Sequence, residues 1–244
     1  MNEILLRQLA ADYCCSEEDV RDRHNHFTVH EFREERRKYR ESKECILKIA
    51  DVNGKLLFTG HEPMIGWCGE RFRDTGSEWF FDAATFRSLD ARLTEEGFRI
   101  MTVRPFFISD TVTPVEPDGF SVRWYEADDI EEFRGGDRFK EAYTFDPDAP
   151  DVLGVAAVRG EQILGMAGAS ADSPSMWQIG INVEPEARGT GVARTLVTLL
   201  KNEILQRGKL PYYSTAMSHL ASQRVALGSG FKLSWAELLT GRAE

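Results

Sequence analysis

The chain has 244 residues, 42% hydrophobic and 29% charged, enough to bury one large or two small cores in a globular protein of ordinary composition. A formal net charge of −10 argues against nucleic acid, which is bound by clustered cations that displace its counterions. Cys14, Cys15, Cys45 and Cys68 lack zinc-finger or C-x-x-C spacing, and no apolar run approaches a membrane span. With the opening residues MNEILLRQLAADY reading as a short amphipathic helix rather than a secretion signal, the expectation is a cytoplasmic protein with free thiols and neither membrane nor metal partners.

Residues 1 to about 42 read as helical. Ile4, Leu5 and Leu9 share a face, and Ser16 to Asp19 resembles a capping box with Asp as its acid. The run from Glu31 to Arg40 mixes both signs and reads as a solvated helix face rather than a basic patch. His24, His26 and His30 cluster nearby without the carboxylate spacing of a known metal site. Asn53-Gly54, between the apolar runs Cys45–Val52 and Leu56–Thr59, signals a hairpin. Residues Pro63 to Phe80, rich in Gly and aromatics, read as a loop. A helix capped near Asp82 then carries Ala84, Phe86, Leu89 and Leu93 to a stop at Gly97, and Phe98 to Ile108 reads as a strand. These elements make an α+β domain over residues 1–110.

Residues 111–118 are polar, hold two prolines and read as a linker. The pattern then restarts. Phe120, Val122 and Trp124 alternate as a strand, and Ala127 to Phe133 reads as a helix. Val152–Val158 and Gln162–Ala169 form a hairpin around Arg159-Gly160-Glu161. Leu210–Met217 reads as a strand, Ser222–Leu227 as a helix and Phe231–Leu239 as a last strand.

Between them lies the stretch from Trp177 to Gly208. Trp177–Val183 is an apolar strand that Pro185 ends, because proline donates nothing to a sheet ladder. Arg188 to Ala193 is a glycine loop. From Val192 the apolar residues Leu196, Leu199, Leu200 and Ile204 fall at helical spacing, and Gly208 closes the helix. A glycine loop opening a helix is an anion site, since the first helical N–H groups lack partners and the helix dipole is positive there. The loop lacks the Lys of a nucleotide P-loop, and Arg194 stands where a dinucleotide fold needs a small residue.

Arg188-x-x-Gly191-x-Ala193 resembles the acetyl-CoA signature of the GNAT superfamily of acetyltransferases, [Q/R]-x-x-G-x-[G/A]. The sequence from Ser218 to Phe231, ending in Gly230-Phe231, is similar to the later helix of that family. The element order β-α-β-β-β-α-β-α-β over residues 119–240 also matches. The resemblance implies an α+β fold: a mixed, mostly antiparallel sheet flanked by helices in residues 119–244, preceded by the smaller first domain. That first domain would shape the acceptor cleft, form a homodimer surface, or be a degenerate copy of the same fold.

The resemblance further implies acetyl-CoA as co-substrate and a small-molecule or peptide amine as acceptor. The N–H groups of Gly189, Thr190, Gly191, Val192 and Ala193 would wrap the pyrophosphate, with Arg188 beside it. The edge of Ile181, Asn182 and Val183 would pair with the pantetheine arm. His219 and Ser222 stand where the family usually has Asn and Ala, and both would touch the cofactor. Relatives often use a Tyr five residues before the Phe of Gly-Phe as acid; that position is Ala226 here.

An alkylamine of pKa near 10.4 costs about 4.6 kcal/mol to deprotonate at pH 7, over a thousandfold in rate, so a base is expected. His219 has the right pKa range for it, and Glu184 at the end of the central strand is the other candidate; Tyr212, Tyr213 and Ser218 are lesser ones. The reading is an acetyl-CoA-dependent N-acetyltransferase. Its alternatives are a non-catalytic acyl-CoA-binding module, transfer of a larger acyl group, and a scaffold in which the first domain is the working part.

Overall fold

The computed structural model describes residues 1–38 and 45–243, and their contacts group into two units. One holds Met1–Phe106 together with Ser234–Glu244, the other Phe107–Leu233.

In the first unit, α1 (Glu3–Asp12) is capped by the Asn2 side chain, which accepts from the Ile4 and Leu5 N–H groups. The reciprocal Ser16–Asp19 capping box opens α2 (Glu17–Arg21) as expected. The helical reading then fails, because His26–Val29 is a strand, β1. It pairs in parallel with β3 (Lys55–Gly60), and Phe27 stacks on Phe58 at 4.5 Å between ring centroids. That long-range pairing outweighs the local charge pattern. The remainder of the expected helix, from Tyr39 to residue 42, lies outside the described residues. Asn53 and Gly54, both at positive φ (54° and 78°), make the expected tight turn between β2 (Leu47–Val52) and β3.

The expected loop after Pro63 is instead largely a helix, α3 (Glu62–Phe72). Its proline sits in the first turn, where no N–H is needed, and Met64, Ile65, Cys68 and Phe72 make its buried face. Asp82 caps α4 (Ala83–Glu95) through the Ala84 and Thr85 N–H groups. Then come β4 (Phe98–Ile108) and, at the far end of the chain, β10 (Lys232–Arg242). The strand order within this unit is β1-β3-β2-β10-β4. The last strand was expected with the second half; residues 236–239 instead ladder antiparallel onto residues 48–51 of β2. Arg37, itself buried, bridges the buried carboxylates of Asp12 and Glu237, so losing either acid would leave a buried charge short of a partner.

The second unit runs β5 (Ser121–Glu126), α5 (Ala127–Ile130) with a 3-10 turn over Glu131–Phe133, β6 (Asp151–Arg159), β7 (Gln162–Ser170), β8 (Met176–Val183), α6 (Val192–Gln206), β9 (Leu210–Ser214) and α7 (Leu220–Gly228). The strands lie in the order β9-β8-β7-β6-β5, antiparallel except for the parallel pair β8–β9. This is a mixed α+β fold with a mostly antiparallel sheet flanked by helices. One sheet face packs Val155, Ala157, Leu164 and Ile179 against Val192, Leu196, Leu200 and Ile204 of α6. Each such large aliphatic side chain contributes about 1.5–3 kcal/mol on burial. The other face packs Ala156 and Met166 beneath Ile130, Phe139 and Tyr143.

The expected linker is fastened to α6. The buried Lys201 amine donates to the Thr111 carbonyl (2.9 Å) and the Thr113 hydroxyl (2.6 Å), and Asn202 bonds both the N–H and the C=O of Thr113. Among the described residues, no helix is long and apolar enough to cross a membrane.

Candidate active site

The parallel ladder between β8 and β9 begins at Met176↔Leu210 and ends at Gln178↔Tyr212. Beyond it β8 continues to Val183 and β9 to Ser214 without further pairing to each other among the described residues. The strands part there. Backbone donors and acceptors of β8 facing the gap are left for another partner, as buried or half-buried main-chain groups need one.

The strand leads, through a 3-10 turn at Pro185–Ala187, into the glycine loop. Gly189 and Gly191 adopt φ of 79° and 90°, open to glycine and strained for other residues, and a Cβ at either would meet nothing within 4 Å. Gly191 is the N-cap of α6, and no side chain caps the helix. Thr190 turns its hydroxyl back to the Ala187 carbonyl (2.7 Å), and the exposed Arg188 lies against the Val183 carbonyl. An open, uncapped helix head with exposed glycines before it suits a phosphate-sized anion.

A feature missing from the sequence expectations lies on the sheet face away from α6. Gly154, Gly168 and Gly180 are paired side by side across β6, β7 and β8. They form a lane without side chains, and residues 141–143 lie in it. A Cβ on Gly180 would fall 1.8 Å from the Glu141 carbonyl oxygen, and one on Gly168 would fall 2.2 Å from that of Ala142. Asn182 fixes this segment, its Oδ1 accepting from the Glu141 N–H (2.9 Å) and the Ala142 N–H (2.8 Å). Tyr143 reaches Met166 Sδ with its hydroxyl, and burial pushes its pKa well above the usual phenol range. The available signal was glycine inside three apolar strands, which marks close backbone approach.

The candidate residues fall in different settings. Ile181, Asn182 and Val183 lie half-buried on the part of β8 that pairs with β7 but not with β9, although the Asn182 side chain is committed to residues 141 and 142. Glu184 is ion-paired with Arg138. His219 is exposed at the head of α7, its Nδ1 3.4 Å from the Thr215 hydroxyl. Ser222 shares a 2.8 Å hydrogen bond with the hydroxyl of Tyr213, the first β9 residue past the ladder. Burial raises the Tyr213 pKa, the Ser222 bond lowers it, and the Glu141 carboxylate raises it, with a net rise. Tyr212 is buried on the last rung and donates to the buried Asp172 carboxylate, with Gln178 beside it. Asp19, Asp22 and His26 come together in the first unit, where the Lys55 amine already lies 2.8 Å from Asp22.

Residues 117–231 match the model of the acetyltransferase (GNAT) family. This part of the chain is a GNAT acetyltransferase domain, and the family carries out acyl-CoA-dependent acyl transfer. No curated protein matches the chain by sequence. Similar solved structures include a GNAT acetyltransferase from Novosphingobium aromaticivorans, at 20% identity and a TM-score of 0.43, covering 61% of this chain and 69% of that one. Another is a GCN5-related N-acetyltransferase-like protein from Streptococcus suis, at 17% identity and a TM-score of 0.45, covering 65% and 68%. A third is a tandem GNAT protein from the clavulanic acid biosynthesis pathway, at 16% identity and a TM-score of 0.47, covering 63% and 58%.

Proposed function

We propose that the protein is an acetyl-CoA-dependent N-acetyltransferase that moves an acetyl group to a primary amine by direct attack in a ternary complex. The observation that carries this reading is the open edge of β8 leading straight into the uncapped head of α6. An extended amide chain ending in a pyrophosphate fits both. Residues 181–183 offer main-chain groups to the pantetheine arm, Asn182 through its backbone alone. The N–H groups from Gly189 to Ala193 receive the phosphates, and Arg188 adds a cation beside them. His219 and Ser222, at and near the head of α7, flank the arm. Main-chain N–H groups of β8 polarise the thioester carbonyl without any charged side chain. The amine then attacks, the C–S bond breaks, and the products are an amide and free CoA thiol.

The test is thiol release from acetyl-CoA with a set of primary amines, including a polyamine, an amino acid and an aminoglycoside. The expected outcome is release above hydrolysis with at least one amine, and intersecting double-reciprocal lines when both substrates are varied. Ala226, buried and without a proton donor, favours a second reading, a module that binds acyl-CoA without turnover. Binding with no release for any amine would support that reading instead; release from a longer acyl-CoA alone would point to transfer of a larger group.

A further inference from the structure

Acyl transfer to an alkylamine needs a group that removes the proton of the attacking nitrogen, and neither candidate base is well disposed for it. Glu184 is engaged by Arg138, and the His219 ring nitrogen Nδ1 faces the Thr215 hydroxyl at 3.4 Å. A third group lies on the sheet face opposite α6. Glu141 sits over Gly180, two residues past the last β8 residue laddered to β9. Its main chain is fixed twice: its carbonyl lies against Gly180 with no room for a Cβ, and its N–H bonds Asn182. Its side chain is exposed and makes no ion pair among the described residues. Its charge reaches Tyr213, the first residue of β9 past the ladder, and raises that phenol's pKa. A carboxylate without an ion pair among the described residues is thus anchored by its main chain over Gly180, within electrostatic reach of the first β9 residue past the ladder.

We propose that Glu141 is the general base of the acyl transfer, held at the β8–β9 gap by the glycine lane and the Asn182 amide. This rests on the acetyl-CoA reading above. The Glu141 carboxylate takes one proton from the bound ammonium and passes it to solvent, which frees the nitrogen lone pair. The neutral amine attacks the thioester carbon, the C–S bond breaks with its electron pair on sulfur, and the surplus proton on nitrogen passes to the thiolate. Ammonium and thioester thus become amide and thiol, with one proton released to solvent.

Methylamine and hydroxylamine separate this role from a structural one, because they match in size while only hydroxylamine is neutral at pH 7. Thiol release from acetyl-CoA is measured with each, for the full chain and for E141Q and E141D. E141Q is expected to lose about a hundredfold or more in kcat with methylamine but less than about tenfold with hydroxylamine, with E141D between it and wild type. The acetyl-CoA KM and the thermal shift given by acetyl-CoA stay as in wild type. An equal loss with both amines, or E141Q keeping more than about a third of kcat with methylamine, would overturn the assignment. So would a wild type that is stabilised by acetyl-CoA yet releases no thiol with methylamine. A wild type that acetyl-CoA does not stabilise fails earlier: it would sink the acetyl-CoA reading and this proposal with it.

Discussion

Asn182 illustrates how one side chain ties the sheet to the segment that crosses it. Its amide oxygen takes the N–H groups of Glu141 and Ala142, and Ala at this position would leave both donors without that partner. Asn182→Ala is therefore expected to lower stability by about 1–3 kcal/mol, read as a fall in the urea midpoint. Asn182→Asp, which keeps the accepting oxygen, should lose less; equal losses for both would contradict the role given to that oxygen. From sequence, Asn182 read only as part of a cofactor-facing edge. Its bond partners are 40 and 41 residues away, and no local pattern carries that information. Glu184 is a similar case. A carboxylate at the end of the central strand reads as a candidate base until Arg138, 46 residues earlier, is found paired with it.

Among the elements, the glycine lane is the part most open to test. Gly180→Ala places a methyl group 1.8 Å from the Glu141 carbonyl oxygen, so the 141–143 segment must lift. Overpacking of this kind costs about 1–3 kcal/mol. The expected result is a melting temperature lower by several degrees and a loss of amine acetylation larger than any loss of acetyl-CoA binding. Unchanged turnover at saturating amine would contradict the placement of Glu141. The elements that sequence made legible are those set by near neighbours. The Asn53-Gly54 turn, the Asp82 cap and the glycine loop before α6 each follow from a few adjacent residues and their permitted φ. β1 was missed because a partner 31 residues away, in β3, decides it. α3 was missed because its glycines and aromatics read as a loop, although Met64, Ile65, Cys68 and Phe72 give it a buried helical face. The lane depends on register between three strands, which no single strand announces.

At the scale of the whole molecule, the chain's contacts form two units, and the last strand returns to the first. A fragment beginning at residue 119 would carry β10 without β2, the strand it ladders onto, so binding is best measured on the full chain. The central claim is that the second unit takes acetyl-CoA at the head of α6. The most direct measurement is thermal unfolding of the full chain with and without acetyl-CoA, for wild type and Gly191→Glu. Ligand at a hundredfold excess over Kd adds about 2.7 kcal/mol to the unit that binds it. The account predicts a rise of about 5–10 °C in the transition of that unit, which is separate from the other if the two melt apart. It predicts that the rise vanishes in Gly191→Glu while that variant keeps a cooperative melt of its own. No rise at saturating acetyl-CoA, or the same rise in both proteins, would contradict it.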